Sequence, residues 1–177
     1  EGVRFASAFF GKGQFVPVAM KKVGGGWQLT QTLEGPYYQP LEPSRPVAVQ
    51  DYRASAADRR RSEVCRFTQT AMIRETASGF EIEIVAEGTP NVPVSIEILF
   101  RQGTQIDGVA PAAAPDSFLL ASGYATARMG KDSIRVGPGL GVHQWTQLRG
   151  AAPKLPGPSV YLCGLAPLRH TLKIDCI

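Results

Sequence analysis

The sequence contains no long hydrophobic run. No stretch approaches the roughly 20 apolar residues that a membrane-spanning helix needs, and no basic segment followed by an apolar one marks a secretory signal. We therefore expect no membrane partner. The chain begins with Glu1 rather than Met, so we expect a processed product or a fragment of a larger protein. A signal already removed would leave a secreted or periplasmic location open.

Cysteine is scarce. The chain has only Cys65, Cys163 and Cys176, and no CxxC motif. This small, odd set indicates neither a disulfide scaffold nor a zinc knuckle. Each cysteine lies in an apolar or strand-like segment, so we predict buried structural thiols. One disulfide with one free thiol is the alternative.

Histidine is scarcer still. His143 and His170 are the only two, and they form no HxH or HxxxH motif. Both together with a carboxylate could bind a transition metal, and the carboxylates considered are Asp132, Asp175 and Glu97. Because no ligand spacing is present, two unrelated histidines are the simpler interpretation. We predict no metal and no other cofactor.

Helical periodicity is almost absent. The 19 glycines and 14 prolines interrupt the chain too often for long helices, and short alternating segments dominate instead. About a dozen short strands with frequent turns predict an all-β fold, an antiparallel β-sandwich similar to a jelly roll. The length suits a single domain, residues 1–177. Within it, the small-residue segment 110–115 could connect two lobes or cross one end of the sandwich.

Two segments, 79–87 and 92–101, alternate regularly between apolar and polar residues. A hairpin turn at 76–79 joins the first to another long strand, 63–75. We expect the apolar faces of the two segments to pack against each other. The predicted inward residues are Phe80, Ile82, Ile84 and Ala86 in the first segment, and Val94, Ile96, Ile98 and Phe100 in the second.

Three neighbouring segments depart from this pattern. Residues 34–46 contain four prolines, which argue against a central strand and favour an extended, polyproline-like conformation. Residues 47–53 are a further strand candidate. Residues 54–61 are predicted to be a loop with one helical turn, because so short a segment without an apolar stripe cannot support a helix.

The segment 118–149 carries the densest set of reactive side chains. A hairpin predicted from Tyr124 to Val136 ends at Gly137-Pro138-Gly139, and His143 and Trp145 follow at once. No GxSxG motif is present, so nucleophilic acyl transfer is not indicated. Proton transfer of the polysaccharide-lyase type remains possible in principle, because it needs a positioned acid and base.

For that chemistry the candidate catalytic residues are Tyr124, Arg128 and His143. Tyr124 and Arg128 share one face of their strand by parity. The alternative is that His143 and Trp145 cap one end of the sandwich without any chemistry.

Carbohydrate binding without catalysis is a further interpretation. Sugar rings stack on exposed aromatic side chains, and neighbouring amide or guanidinium groups bind their hydroxyls. Ordinary packing of the aromatic rings is the alternative. The candidate ligand-binding residues are Trp145, Gln144, Arg149, Trp27, Tyr37 and Tyr38, with Tyr161 as a further aromatic.

The charge distribution argues against a nucleic-acid partner. The net charge is +4, which favours anionic partners only weakly. The one dense basic run, residues 59–61, has Asp58 and Glu63 beside it and is interpreted as a solvated loop. Basic residues elsewhere are scattered rather than interleaved with aromatic residues along one groove, as single-stranded nucleic acid would require.

Part of the central segment resembles the second motif of the cupin family, in which a hairpin and a Pro-Gly pair precede a histidine. The matching residues are Gly130, Pro138, Gly139 and His143. The spacing from Gly130 to Pro138 is longer than in cupins, and the first cupin motif is missing. The resemblance therefore implies jelly-roll geometry rather than cupin metal chemistry.

Taken whole, the chain resembles the all-β accessory or C-terminal modules of bacterial carbohydrate-active enzymes, heparinase-like polysaccharide lyases among them. The resemblance rests on continuous strands, short hairpins and GPG before a histidine. It implies a module that packs on a catalytic domain or helps to bind an acidic glycan. Two alternatives stay open. One is a stand-alone lyase or isomerase with its site near His143, and the other is a structural or subunit-interface domain without ligand.

Overall fold

Two sheets pack face to face, which confirms the predicted all-β antiparallel sandwich. The computed structural model describes residues 2–41 and 55–177. In spatial order, the five-stranded sheet consists of β1 (Gly2–Ser7), β6 (Pro93–Leu99), β12 (Ser159–Leu165), β9 (Ser117–Leu119) and β8 (Ala110–Pro111). The eight-stranded sheet consists of β2 (Ala19–Val23), β3 (Gly26–Tyr38), β4 (Arg61–Glu75), β5 (Gly79–Gly88), β13 (Leu168–Cys176), β11 (Asp132–Gly137), β10 (Ala125–Met129) and β7 (Gln105–Asp107).

The core lies where the alternation of β5 and β6 places it. Ile82, Ile84 and Ala86 belong to one buried cluster with the inward residues of β6, so the expected packing of the two faces is confirmed. Phe80 is the exception, since 49% of its side chain is exposed. Phe80 is the second residue of β5 and pairs with Glu75 beside the hairpin turn, where burial is incomplete. Each large apolar side chain that is deeply buried in this core contributes about 1.5–3 kcal/mol to the stability of the fold.

The predicted hairpins are present. β4 and β5 pair antiparallel across the turn at 76–78, and β10 pairs with β11 across Gly130. Among the described strands, the pair β9 and β12 is parallel, and the other pairings are antiparallel. The segment 110–115 begins with β8 at the edge of the five-stranded sheet.

The proline-rich segment differs from the expectation. β3 continues through Pro36 to Tyr38 and stays paired with β4 over this stretch. Its pairing with β2 ends at Thr30. Proline, which lacks an N–H donor, fits a stretch bonded on one side only. Pro36 therefore argues against a strand paired on both sides, and not against a strand as such. Residues 42–46 of the proline-rich segment lie outside the described residues.

Helical structure is limited to short turns. A 3-10 turn at Ala56–Asp58 confirms the helical turn expected within 54–61, and another spans Phe9–Gly11. Among residues 2–41 and 55–177 no helix is long and apolar enough to cross a membrane. The strand candidate 47–53 lies outside the described residues.

The three cysteines are all free thiols, so the alternative of one disulfide is wrong. Only Cys163 is buried. Cys65 is half-buried and Cys176 is exposed, which corrects the expectation that all three are buried. Cys176 is the last residue of β13, directly before Ile177, and its side chain is exposed.

Candidate functional site

His143 is held by hydrogen bonds to the main chain. Its Nδ1 accepts the N–H of Trp145 at 3.2 Å, and its Nε2 lies 2.9 Å from the carbonyl oxygen of Gly164. Because Nδ1 accepts, Nε2 carries the proton and donates it to Gly164. The imidazole and the Trp145 ring stack with centroids 4.9 Å apart. Both ring nitrogens are thus occupied, and the histidine braces the chain at this point.

Tyr124 and Arg128, the other two predicted catalytic residues, have partners of their own. The guanidinium of Arg135 lies over the Tyr124 ring, 5.2 Å from its centroid. Arg128 forms an ion pair with Asp107 on β7. Tyr124 directly precedes β10, and at about 3.3 Å per residue it lies about 13 Å along the chain from Arg128. No hydrogen bond or ion pair within the described residues joins either one to His143, so the catalytic role of this set stays a prediction.

The predicted ligand-binding residues do not form one surface. Trp27 and Tyr37 lie on the same strand, but about 33 Å apart at about 3.3 Å per residue. Tyr37 makes an edge contact with Phe10, while Tyr38 is half-buried at a bulge in the same strand. Elsewhere, Gln144 is exposed, and Arg149 lies against Gly11. Trp145, 60% exposed, is the best placed of the set for a ligand.

A cavity within the described residues lies around β1, the outer strand of the five-stranded sheet. This cavity has a volume of about 270 Å³. Gln14 and Gln147 lie in its lining and are exposed, so the cavity opens to solvent. One side of the cavity is apolar and the other is polar, because the two sides lie on opposite faces of the five-stranded sheet.

One side of the cavity is apolar. It is formed by the inward faces of β3, β4 and β5, together with Val3 and Phe5 of β1. Phe15 closes it, and its ring packs edge-on against Phe5 with centroids 5.6 Å apart. The lining residues from β3, β4 and β5 are Leu29, Ala71, Ile73, Ile82 and Ile84.

The other side of the cavity is polar. Arg4, Glu97 and Tyr161 are register partners on β1, β6 and β12, so they lie side by side. Their neighbours in sequence, such as Phe5 and Ile96, point into the core. The three polar side chains therefore occupy the face of the sheet that turns away from the core.

Glu97 is the centre of this polar group. Its Oε2 accepts a hydrogen bond from Arg4 Nε at 2.7 Å. Its Oε1 accepts from Ser159 Oγ at 2.8 Å and from the Tyr161 hydroxyl at 2.9 Å. Gln147 Nε2 donates in turn to the Tyr161 hydroxyl at 3.2 Å. We call Arg4, Glu97, Gln147, Ser159 and Tyr161 the buried polar cluster.

The surroundings of Tyr161 favour the protonated form of its hydroxyl. Glu97 only accepts hydrogen bonds, and this is the pattern of an ionised carboxylate. Burial raises the pKa of Tyr161, and the Glu97 carboxylate raises it further. The phenol therefore keeps its proton and continues to donate to Glu97.

One donor in the cluster is incompletely used. Arg4 Nη2 lies 2.5 Å from Glu97 Oε2. It is nevertheless buried without a hydrogen-bond acceptor in suitable geometry among the described residues. The Arg4 side chain is 25% exposed and lines the cavity. The ion pair with Glu97 thus holds the Arg4 guanidinium at the polar side of the cavity.

A long covering segment (residues 138–158) encloses the cluster. Ser95 Oγ donates to the Thr146 carbonyl at 3.2 Å, and Arg4 Nη1 donates to the Pro153 carbonyl at 3.0 Å. Thr146 is itself buried. These contacts attach the covering segment to the outward face of β1 and β6.

Two glycines, Gly13 and Gly150, allow the covering segment to pack closely against the main chain after β1. A Cβ on Gly13 would lie 2.7 Å from main-chain atoms of residues 149–151, and one on Gly150 would collide with the carbonyl of Gly11. Gly150 also has a φ of +82°, which favours glycine. The close approach of the two main chains therefore depends on both glycines.

No known family, curated protein or solved structure matches this chain. The site must therefore be interpreted from its own geometry.

Metal binding finds no support in that geometry. The described residues contain no group of three or more His, Cys, Asp or Glu side chains that could hold a metal ion. His170, like His143, bonds to a carbonyl oxygen, that of Pro138 at 2.9 Å. Burial lowers the pKa of His170, so its imidazole is neutral at pH 7.

Sequence reasoning missed the buried polar cluster. The alternation of 92–101 places Glu97 between the inward residues Ile96 and Ile98, and the sequence suggests only a metal-ligand role for it. A signal was nevertheless present in β12, where Ser159 to Leu165 shows no polar alternation. A strand without polar alternation is typically buried on both faces. The residues that pair with it on a neighbouring strand are then expected to be buried as well. Glu97 lies opposite Tyr161 in that strand.

Proposed function

We propose that this protein binds a small, mainly apolar molecule in the cavity around β1. The observation that supports the proposal is the cavity of about 270 Å³, which has an apolar wall on one side and the buried polar cluster on the other. Ligand sites in proteins are typically apolar concavities with a few well-placed polar groups.

The volume limits the size of the ligand. A dry cavity of about 150 Å³ lined by apolar side chains holds benzene. The cavity here is less than twice that volume. A molecule of about 10 to 15 non-hydrogen atoms would fill it.

The geometry favours binding over catalysis. Glu97, the carboxylate at the cavity, is occupied by hydrogen bonds from three side chains. A general base needs a free lone pair within reach of the proton that it abstracts. The cluster therefore positions a ligand and is not arranged to remove a proton from it.

Filling the cavity tests this proposal. Ala71 lies on the apolar wall, so Ala71→Phe should abolish binding of a panel of small apolar probes, measured as a rise in the thermal midpoint. Wild type at about 100 times the dissociation constant should gain about 2.7 kcal/mol of stability.

Thr70→Phe is the matched control for this experiment. Thr70 is the preceding residue of β4 and points to the opposite face of its sheet, so this variant should bind as wild type does. Equal binding by all three proteins would show that the probes occupy another place and would count against the proposal.

Glycan binding is a second candidate, and Trp145 supports it. Its ring is 60% exposed and braced by His143, and this arrangement can stack on a sugar ring. On this proposal the protein is an accessory module of a polysaccharide-degrading enzyme. Wild type and Trp145→Ala should then differ in affinity for acidic oligosaccharides, measured by calorimetry. If neither protein binds any of them, this candidate is excluded.

A further inference from the structure

The free edge of β1 indicates the chemical class of the ligand. β1 is the outer strand of the five-stranded sheet, and among the described strands it pairs with β6 alone. An edge strand presents main-chain N–H and C=O groups that can pair with another extended chain. Resting on the proposed function, we infer that the ligand is the end of an extended peptide, which adds to β1 beside Val3.

The main-chain groups of Val3 point to this free edge. The N–H of Ser7 donates to the carbonyl of Gly13 at 2.8 Å. The carbonyl of Phe5 accepts the N–H of Phe15 at 2.9 Å. Odd-numbered residues of β1 therefore direct their main-chain groups away from β6, because in an antiparallel strand these groups alternate between the two edges. Val3 belongs to the same set, and within the part of the chain that the structure describes no main-chain hydrogen bond reaches it from a segment other than β6.

Pro17 explains why the edge beside Val3 stays open. Residues 13–15 pair antiparallel with β1, and two further residues in the same register would place Pro17 opposite Val3. Proline has no N–H to donate. The chain turns instead to the eight-stranded sheet, where the N–H of Val18 donates to the carbonyl of Thr30 at 3.0 Å. The strand position beside Val3 is thus left unfilled by this segment.

The cavity lies at this strand position. Its lining includes Phe5 from the inward face of β1 and Arg4 from the outward face, together with Phe15 and Pro17. β6 fills the other edge of β1, so a space that contacts both faces of β1 passes around its free edge. The cavity therefore has the place and the lining that an added strand requires.

Strand geometry determines how a peptide would fit. One guest residue would exchange two N–H···O bonds with Val3. Its side chain would lie on the same face as that of Val3, against Leu29 and Ile73 of the apolar wall. The residue beside it would point toward the buried polar cluster, so we expect a small or polar side chain there. Because residues 13–15 occupy the edge beside Phe5, the guest chain stops at that point and enters by one of its ends.

Matched probes test this inference. N-acetyl-L-leucine N-methylamide carries one apolar residue with a peptide group on each side. Its ester analogue has an oxygen in place of the leucine N–H and therefore lacks the donor to the Val3 carbonyl. Main-chain hydrogen bonds provide much of the affinity when a strand is added to a sheet edge. The wild-type protein should therefore bind the amide at least tenfold more tightly than the ester, with dissociation constants measured by calorimetry. Butylbenzene is the apolar probe without a peptide group.

Val3→Pro tests the position of the peptide. It removes the N–H that would donate to the guest carbonyl. The pairing of β1 with β6 should persist, because this N–H points away from β6 and proline is tolerated on such an edge. The variant should bind the amide at least tenfold more weakly than wild type does, while its affinity for butylbenzene should stay unchanged.

Met20→Pro is the matched control for this variant. Met20 lies in β2, the outer strand of the eight-stranded sheet, and is exposed outside the lining of the cavity. A two-residue turn joins Val23 to Gly26, so these two form a hydrogen-bonded pair. Met20, three residues before Val23, therefore directs its N–H to the open edge of the sheet. This variant should bind all three probes as wild type does.

The outcomes separate the two proposals. If the wild-type protein binds none of the three probes, the proposed function itself is overturned. If it binds butylbenzene and not the amide, or the amide and the ester equally, binding in the cavity stands and the inference about the peptide is overturned. Unchanged binding of the amide by Val3→Pro would overturn it as well. Should Val3→Pro fail to fold, the wild-type comparison of amide and ester still decides.

Discussion

The covering segment has two sides with opposite properties. On the outer side, Trp145 is 60% exposed, and His143 uses both ring nitrogens on the main chain. On the inner side, the carbonyl of Thr146 and the amide of Gln147 bond to the outward face of the five-stranded sheet. Neighbouring residues of one segment thus belong to different environments. His143 and Trp145, whose residue types suggest a reactive or binding site, are on the outer side of the covering segment. The cavity that can hold a ligand is on the inner side.

The largest expected effect comes from removing Arg4, the cation that the inner side of the covering segment contacts. Arg4→Met leaves the buried Glu97 carboxylate without its ion pair, which should lower the free energy of unfolding by about 3 kcal/mol. Urea denaturation at pH 7 measures the loss.

An exposed ion pair provides the control for that experiment. Arg128 and Asp107 form such a pair, with 54% and 62% of their side chains exposed. Arg128→Met should therefore cost no more than about 1 kcal/mol. Equal losses of unfolding free energy in the two variants would mean that the Arg4–Glu97 pair stabilises the protein no more than an exposed ion pair does.

The next effect concerns Cys163, which the covering segment shields. Its Sγ lies 3.6 Å from the carbonyl oxygen of Trp145, and burial raises the pKa of the thiol from 9.0 to about 12. The folded protein therefore keeps this proton while the unfolded chain loses it. Its contribution to stability is present below pH 9 and is lost as the pH rises toward 12, by up to about 1.4 kcal/mol per pH unit.

Comparing variants isolates this contribution. Cys163→Ala should flatten the fall in the unfolding free energy between pH 9 and 10.5, relative to wild type. Cys176→Ala should not, because Cys176 is exposed. Identical slopes in all three proteins would mean that the covering segment does not seal Cys163 from solvent.

A smaller effect is expected for the Tyr161 hydroxyl. Tyr161→Phe removes one donor to Glu97 and the acceptor for Gln147, so we expect a loss of about 1–2 kcal/mol in unfolding free energy. The exposed Tyr37 provides the control, since Tyr37→Phe should leave thermal and urea unfolding unchanged. A neutral Tyr161→Phe would show that the cluster does not hold the covering segment.

The smallest effect is expected on the outer side. Trp145→Ala should change the unfolding free energy by no more than about 0.5 kcal/mol, because surface substitutions rarely do more. Thermal unfolding measures it. A loss above about 2 kcal/mol would mean that the ring of Trp145 is a structural contact, and the comparison between the two sides would fail.

Local sequence pattern predicted the fold well, because alternation reports which face of a strand is buried. Ile82, Ile84 and Ile96 are buried as the pattern requires. The extent of β3 does not follow from the local pattern, because it depends on where the pairing with β2 stops, at Thr30. Pairing partners are distant in sequence, so composition around Pro36 could not reveal this.

The candidate site could not be predicted in the same way. Alternation correctly placed Glu97 on the face turned away from the core, but it did not show that the covering segment lies over that face. Such coverage depends on contacts between distant residues, for example Ser95 with Thr146. His143 is one of only two histidines in this chain, and rarity carries no information about whether its ring nitrogens are free.

The attachment of the covering segment has a kinetic consequence. The segment is fastened by side-chain hydrogen bonds at Thr146 and Pro153, and by the close main-chain contact of Gly13 with Gly150. The segment can move away from the outward face of β1 and β6 only when these contacts open together. The main-chain amides beneath it would therefore share one opening reaction, seen as a common rate of hydrogen exchange, although the cavity itself stays open to solvent.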